Sequence, residues 1–202
     1  MSGSLPYPQL LDTFLNGLRQ TGREISVPAV FDAVRNLAYA SNGQRRPEIV
    51  IETRSGSCTG KHILLRDLLR HLGETAEVEL VEGDFAAGMP AVESMPIALQ
   101  EQIRSAGVTD IHCYVVWRSR ERELKLDATW PDSLRDMGFP VNDRWDGTGD
   151  TEIALTPVAI KGRPDDVIGK KESLLASLSE EQQARRRAFL ALLTQWLAAN
   201  ED

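Results

Sequence analysis

Cysteine is scarce in this chain. Two residues of 202, Cys58 and Cys113, cannot make a disulfide framework or a four-thiolate zinc site. Two free thiols fit a reducing compartment, so a cytoplasmic protein is expected. No basic stretch followed by an apolar run opens the N-terminus, which argues against a signal peptide. No stretch approaches the roughly 18 consecutive apolar residues of a membrane span, so no membrane partner is expected. Positive charge is in deficit too: 23 Lys and Arg against 30 Asp and Glu leave a net charge of -7. That is the wrong sign for a protein whose main partner is a nucleic acid. Internal repeats and low-complexity runs are missing.

What is present is an ordinary globular composition, 42% hydrophobic and 26% charged, of a length that suits one domain over 1–202. Leu10, Leu11, Phe14, Leu15 and Leu18 recur at helical spacing. Pro28 opens a second helix through Val30, Phe31, Val34 and Leu37. Residues 41–47 read as loop, and Ile49 to Ile51 as a short apolar piece. A third helix starts at Cys58, with Ser57 as N-cap, Gly73 as C-cap and a broad stripe of Ile63, Leu64, Leu65, Leu68, Leu69 and Leu72. Strands are expected over 76–81, 111–118 and 124–129, with another over 151–160. Residues 83–107 read as an insertion that contains a short helix and serves as a lid or carries specificity; 130–150 read as loop. Ser179 to Gln182 is a capping box that opens a last helix. Asp165-Asp166 with Lys170-Lys171 reads as a surface turn, and Arg185 to Arg187 as a solvated helix face. Helices, then an antiparallel sheet, then a helix make an α+β order. The core is expected over about 39–160, with helical extensions over 5–40 and 165–199.

Cys58 sits where chemistry is cheap. A helix N-terminus carries partial positive charge and free N–H groups, which lower a thiol's pKa and can receive an oxyanion. Gly56, just before it, lets a substrate backbone come close. The chain has 3 histidines, His62, His71 and His112. His112 gains weight from Asp127. If strands 111–118 and 124–129 pair through Ser119 and Arg120 alone, Arg118 meets Glu121 and His112 faces Asp127. If the loop is two residues longer, Asp127 faces Tyr114 instead. Either even-length loop leaves His112 and Asp127 on one face of the sheet. A carboxylate beside an imidazole fixes its tautomer and supports the imidazolium. Cys113 then belongs to the opposite, core face, pointing away from His112.

Three segments together resemble the transglutaminase-like superfamily, within the wider papain-like cysteine fold. They are Gly56-Ser57-Cys58 continuing through Leu64-Leu65 to Gly73, His112-Cys113-Tyr114-Val115-Val116-Trp117, and Leu126-Asp127-Ala128-Thr129. The match covers roughly 39–130. It departs from the family at Gly60-Lys61, where small residues are usual, and in the length of 83–107. The resemblance implies a central Cys-bearing helix packed on an antiparallel sheet, and acyl transfer through a thioester with Cys58 as nucleophile, His112 as base and Asp127 as orienting acid. It implies no metal and no organic cofactor.

Amide or peptide hydrolysis is the expected reaction, on a protein, peptide or small amide substrate. Protein-glutamine crosslinking and a catalytically silent binding module are the alternatives. The backbone N–H of Cys58 is expected to hold the oxyanion, with Gln44 or Asn42 as a side-chain donor, and Trp130 is a candidate wall. A metal site built from Cys58, His62 and His112 competes with these, since Cys58 and His62 lie one helical turn apart.

Overall fold

The leucine-rich stripe after Cys58 folds as its spacing predicts. In the computed structural model, which describes residues 5–119 and 122–200, this helix runs Cys58–His71 and buries Ile63, Leu64, Leu65, Leu68 and Leu69. It is α4. Before it come α1 (Tyr7–Gln20), α2 (Val27–Arg35), β1 (Ala38–Tyr39), α3 (Pro47–Thr53) and β2 (Ser55–Gly56). After it come β3 (Thr75–Asp84), α5 (Ile97–Ser105), β4 (Thr109–Arg118), β5 (Glu123–Leu126), a 3₁₀ helix (Asp132–Met137), β6 (Thr156–Gly162), α6 (Val167–Ala176) and α7 (Glu180–Ala198). Four strands form an antiparallel sheet in the order β5-β4-β3-β6, and β1 and β2 make a short parallel pair beside it. The fold is mixed α+β, with α4 packed on β3 and β4. One apolar cluster runs from Leu11 to Leu197, so the terminal helices share the core of the sheet. Among the described residues, no helix is long and apolar enough to cross a membrane.

Local signals explain the helix ends. Ser26 accepts from the Ala29 N–H and so caps α2. Leu72 is the C-cap of α4, and Gly73 after it, at φ +86°, takes the left-handed conformation that stops a helix. Ser179 and Gln182 satisfy each other's backbone N–H groups at the start of α7.

Two helices differ from expectation. The piece around Ile49 is the helix α3, whose seven residues are too few to show a period and which Pro47 opens from its first turn. The supposed surface turn at Lys170-Lys171 lies inside α6, capped by Asp166, whose carboxylate accepts from the Gly169 N–H. Its lysines break the apolar pattern that would have revealed it. The strand expected from Thr151 starts only at Thr156, because Thr151 and Ala154 bond to the end of β5 and to Asp127 instead.

The glycines flanking Cys58 answer to packing. A Cβ on Gly56 would stand 2.6 Å from Val50 Cγ2, and one on Gly60 2.7 Å from the same methyl. Val50 of α3 therefore fills the space that Gly56 was expected to leave for a substrate, and it accounts for Gly60 inside a helix where glycine is otherwise costly. Residues 83–107 are no lid over Cys58. Phe85, Ala86, Met89, Met95, Leu99 and Ile103 are buried, and α5 packs on α7.

Candidate active site

Ser57 stands at the N-cap of α4 with extended backbone, but its side chain makes no capping bond. Its hydroxyl donates toward the Gln44 carbonyl at 3.5 Å. The first N–H groups of α4 thus keep their positive end for whatever meets Cys58. The thiol itself is only 3% exposed.

The strand pairing decides which residues meet His112. Arg118 pairs with Glu123 and Val115 with Leu126. The hairpin is the longer of the two even loops, and the expected pairing of Arg118 with Glu121 lies outside the described residues. Continued one step past β5, this register sets Asp127 toward Tyr114, one diagonal position from His112. The even offset preserves the shared face, and His112 Nε2 lies 2.7 Å from Asp127 Oδ2. Asp127 is anchored from behind. Oδ1 accepts from the Thr129 N–H at 3.0 Å and from the Thr129 hydroxyl, and Oδ2 accepts from the Ala154 N–H at 2.9 Å. Nδ1 of His112 is buried and makes no hydrogen bond within range.

Charge follows this geometry. A hydrogen bond from Cys113 holds the Cys58 thiol well below the usual thiol range; burial opposes it, and the Lys171 and His112 charges reinforce it. Burial pushes His112 down, but Asp127 and Cys58 outweigh it and raise its pKa to about 10. Burial likewise works against the Asp127 carboxylate and is overcome by His112, leaving the acid well below its ordinary value. Cys58, His112 and Asp127 thus favour one another's charged forms in a buried site.

Cys113 corrects an expectation. It is fully buried, as a core residue should be. The helix covering its face is the one that carries Cys58, so Cys113 Sγ lies 3.9 Å from His62 Nδ1 and its thiol acts on the titration of Cys58. Core placement brings it into the site.

His62 holds backbone at both nitrogens. The Ala128 N–H donates to Nε2 at 2.8 Å, and Nδ1 lies 2.7 Å from the Cys58 carbonyl. An amide can only donate, so Nε2 carries the lone pair and Nδ1 the proton. The 3.4 Å approach of Nε2 to Asp127 is therefore no ion pair. The same bonds remove His62 from the metal site envisaged with Cys58 and His112. Among the described residues, no cluster of three or more His, Cys, Asp or Glu side chains could hold a metal ion.

Two lysines that the sequence pattern does not single out are buried here. Lys61 Nζ donates to the carbonyls of Arg35, Leu37 and Thr129 at 2.9, 2.7 and 2.9 Å. Burial pushes its pKa down to about 7, yet three acceptors call for three donors, which only the ammonium has. Lys171 of α6 places Nζ 3.4 Å from Cys58 Sγ and 2.9 Å from Thr59 Oγ1. A lysine next to another lysine reads as surface from sequence. Only the helical phase of α6, hidden by its mixed composition, would have pointed to Lys171.

The remaining candidates fall outside the site. Asn42 and Gln44 are exposed, and the Asn42 side-chain Oδ1 is taken by the Gln44 backbone N–H at 3.0 Å. Neither lines the cavity above Cys58. Trp130 is a core residue whose ring centroid lies 5.0 Å from Tyr39 and 5.9 Å from Phe85. The ring stacked on His112 is that of Phe85. Arg186 leaves the solvated face assigned to it and pairs with the buried Asp110. With Lys171 and Arg45 it roofs a cavity of about 10 Å³ over Cys58, room for about one water molecule.

The proton count of the Cys58–His112 pair gives a test. Folded, the pair holds one proton, as thiolate and imidazolium, from the lowered Cys58 value up to about 10. Unfolded, with ordinary values of 6.5 and 9.0, it also holds one proton between those limits, on sulfur. Its contribution to stability is therefore flat from pH 6.5 to 9.0. Below that window the Cys58 contribution is lost as pH falls through its folded value; above it the His112 contribution is lost as pH rises through about 10. Cys58→Ala removes the cancellation. Stability of the variant relative to wild type is expected to fall from about pH 6.5 upward, by up to about 1.4 kcal/mol per pH unit. Urea midpoints at pH 6, 7 and 8 read this, and parallel pH dependences would contradict the shared proton.

No protein-family model matches the chain, and no curated protein does. Among solved structures, the chain is similar to a candidate cysteine protease from Cytophaga hutchinsonii, at 17% identity and a TM-score of 0.45, over 82% of this chain and 47% of that one. The chain thus spans about half the length of that protein.

Proposed function

We propose that this protein is a cysteine-dependent acyl-transfer enzyme with a transglutaminase-like core, hydrolysing amide or peptide bonds through a thioester. One observation carries the reading: Asp127 holds His112 by Nε2, which leaves the unpartnered Nδ1 as the nitrogen that can exchange a proton with Cys58. Cys58 is the nucleophile, His112 the acid and base, and Asp127 the group that orients the ring.

The thiolate attacks the amide carbon, and the C–O electron pair moves onto oxygen. The backbone N–H of Cys58, at the uncapped end of α4, faces the developing charge. His112 Nδ1–H then protonates the leaving nitrogen, the C–N bond breaks and the amine departs. A water gives its proton to Nδ1 and attacks the thioester, releasing the carboxylic acid and the thiolate. A silent binding module is the second reading, and the closed roof over a sulfur only 3% exposed favours it.

Labelling separates the two. A thiol-directed acyl-enzyme probe is expected to mark the wild type and to leave Cys58→Ala unmarked. Cys113→Ala is expected to be marked, with its pH dependence moved upward because Cys58 has lost a hydrogen-bond donor. Equal labelling of Cys58→Ala and Cys113→Ala would end the enzyme reading.

A further inference from the structure

Lys171 is a buried cation that the three-residue mechanism leaves idle. It is 2% exposed, and among the described residues its ammonium hydrogen-bonds to Cys58 Sγ and Thr59 Oγ1 alone. No carboxylate of the described residues makes an ion pair with it; Asp110, the nearest acid lining the same cavity, is taken by Arg186. Burying an unpaired ammonium is costly, and a thiolate 3.4 Å away supplies the missing charge.

We propose that Lys171 is a catalytic residue of this site: its ammonium is the counter-ion of the Cys58 thiolate and, once attack has moved the charge from sulfur to the carbonyl oxygen, the second donor to that oxygen. The inference rests on the acyl-transfer reading. The oxyanion forms two bonds from Sγ, so a donor already in contact with sulfur need shift little to follow the charge. The helix end supplies the other donor through the Cys58 N–H. Lys171 thus takes the place that Asn42 and Gln44 do not fill. Other groups also face the sulfur and share in its titration: His112 and Cys113 from β4, Tyr39 from β1 and Arg186 from α7. Of these, His112 is also a cation acting on the sulfur, so the thiolate charge is shared between it and Lys171.

The test uses the full chain, with two probes. Iodoacetamide, small and uncharged, reads the thiolate fraction of Cys58 as a rate against pH, followed by peptide mass spectrometry. p-Nitrophenyl acetate reads acylation. In Lys171→Met the alkylation midpoint is expected to rise by at least one pH unit. At a pH where every variant is fully thiolate, acylation is expected to be at least tenfold slower. Lys171→Arg keeps the low midpoint and most of the acylation rate. Lys171→Gln, which can still hydrogen-bond to Thr59, is expected to behave as the Met variant and replaces it if the latter does not fold. A roof that merely blocks Cys58 predicts the opposite sign. If the Met or Gln variant is alkylated faster at every pH, or overlays the wild type, the inference on Lys171 falls alone. If the wild type titrates like a free thiol, near pH 8.5, both the inference and the acyl-transfer reading fall.

Discussion

Asp127→Ala is expected to cost about 3–5 kcal/mol of stability, the usual effect of removing one partner from a buried charge pair. The substitution strands the His112 imidazolium and leaves the Thr129 and Ala154 N–H groups without acceptors. Asp127→Asn separates stability from chemistry. It keeps the volume but removes the charge that raises His112, and its amide must turn a donor toward either His112 or an N–H. Acylation is expected to fall by about 10⁴-fold, as it does when a triad acid becomes an amide. Urea denaturation checks the first effect and p-nitrophenyl acetate kinetics the second. An alanine variant within 1 kcal/mol of wild type would mean that the carboxylate is solvated and the pair unimportant.

Lys61→Met carries the other large effect. Three carbonyls from two parts of the chain converge on one ammonium. Each would be left buried without a donor at about 1–3 kcal/mol apiece, so a loss above about 3 kcal/mol is expected. Lys61→Arg should recover little, because a planar fork does not match three acceptors gathered round a point. One acceptor is the carbonyl of Thr129, the residue whose N–H and hydroxyl hold Asp127, so the surviving folded fraction should also acylate slowly. Thermal unfolding combined with acylation rates checks both. A Met variant with wild-type midpoint would show that water can replace the ammonium.

The Cys58 helix, the His112 strand and the aspartate at the end of β5 are legible because each carries its own local signal: a stripe ending in Gly73, a run of buried strand residues, a short alternating strand. The pairing of His112 with Asp127 needs only parity, which is why it survives uncertainty in loop length. Cys113 shows where parity stops helping. It gives the face but not what covers that face, and here the cover is α4 itself. Lys61 and Lys171 are invisible for a related reason. A buried lysine is rare, and its burial depends on acceptors far away in sequence, such as Thr129 for Lys61 and Cys58 for Lys171. Gly56 misled in the same way, since the methyl that needs its space belongs to Val50 in a helix too short to announce itself.

The order of synthesis gives the C-terminal roof a consequence in time. β1 to β6, α4 and the three polar partners all lie before residue 163, whereas the ammonium beside Cys58 arrives with α6 and the roof is finished by α7. A chain leaving the ribosome N-terminus first therefore presents its thiol uncovered and without its cation until the last segment emerges, which takes a few seconds at about 5–20 residues per second. A ribosome-stalled chain ending near residue 165 should accordingly expose a Cys58 that oxidants and alkylating agents reach freely and that titrates at higher pH than in the full chain.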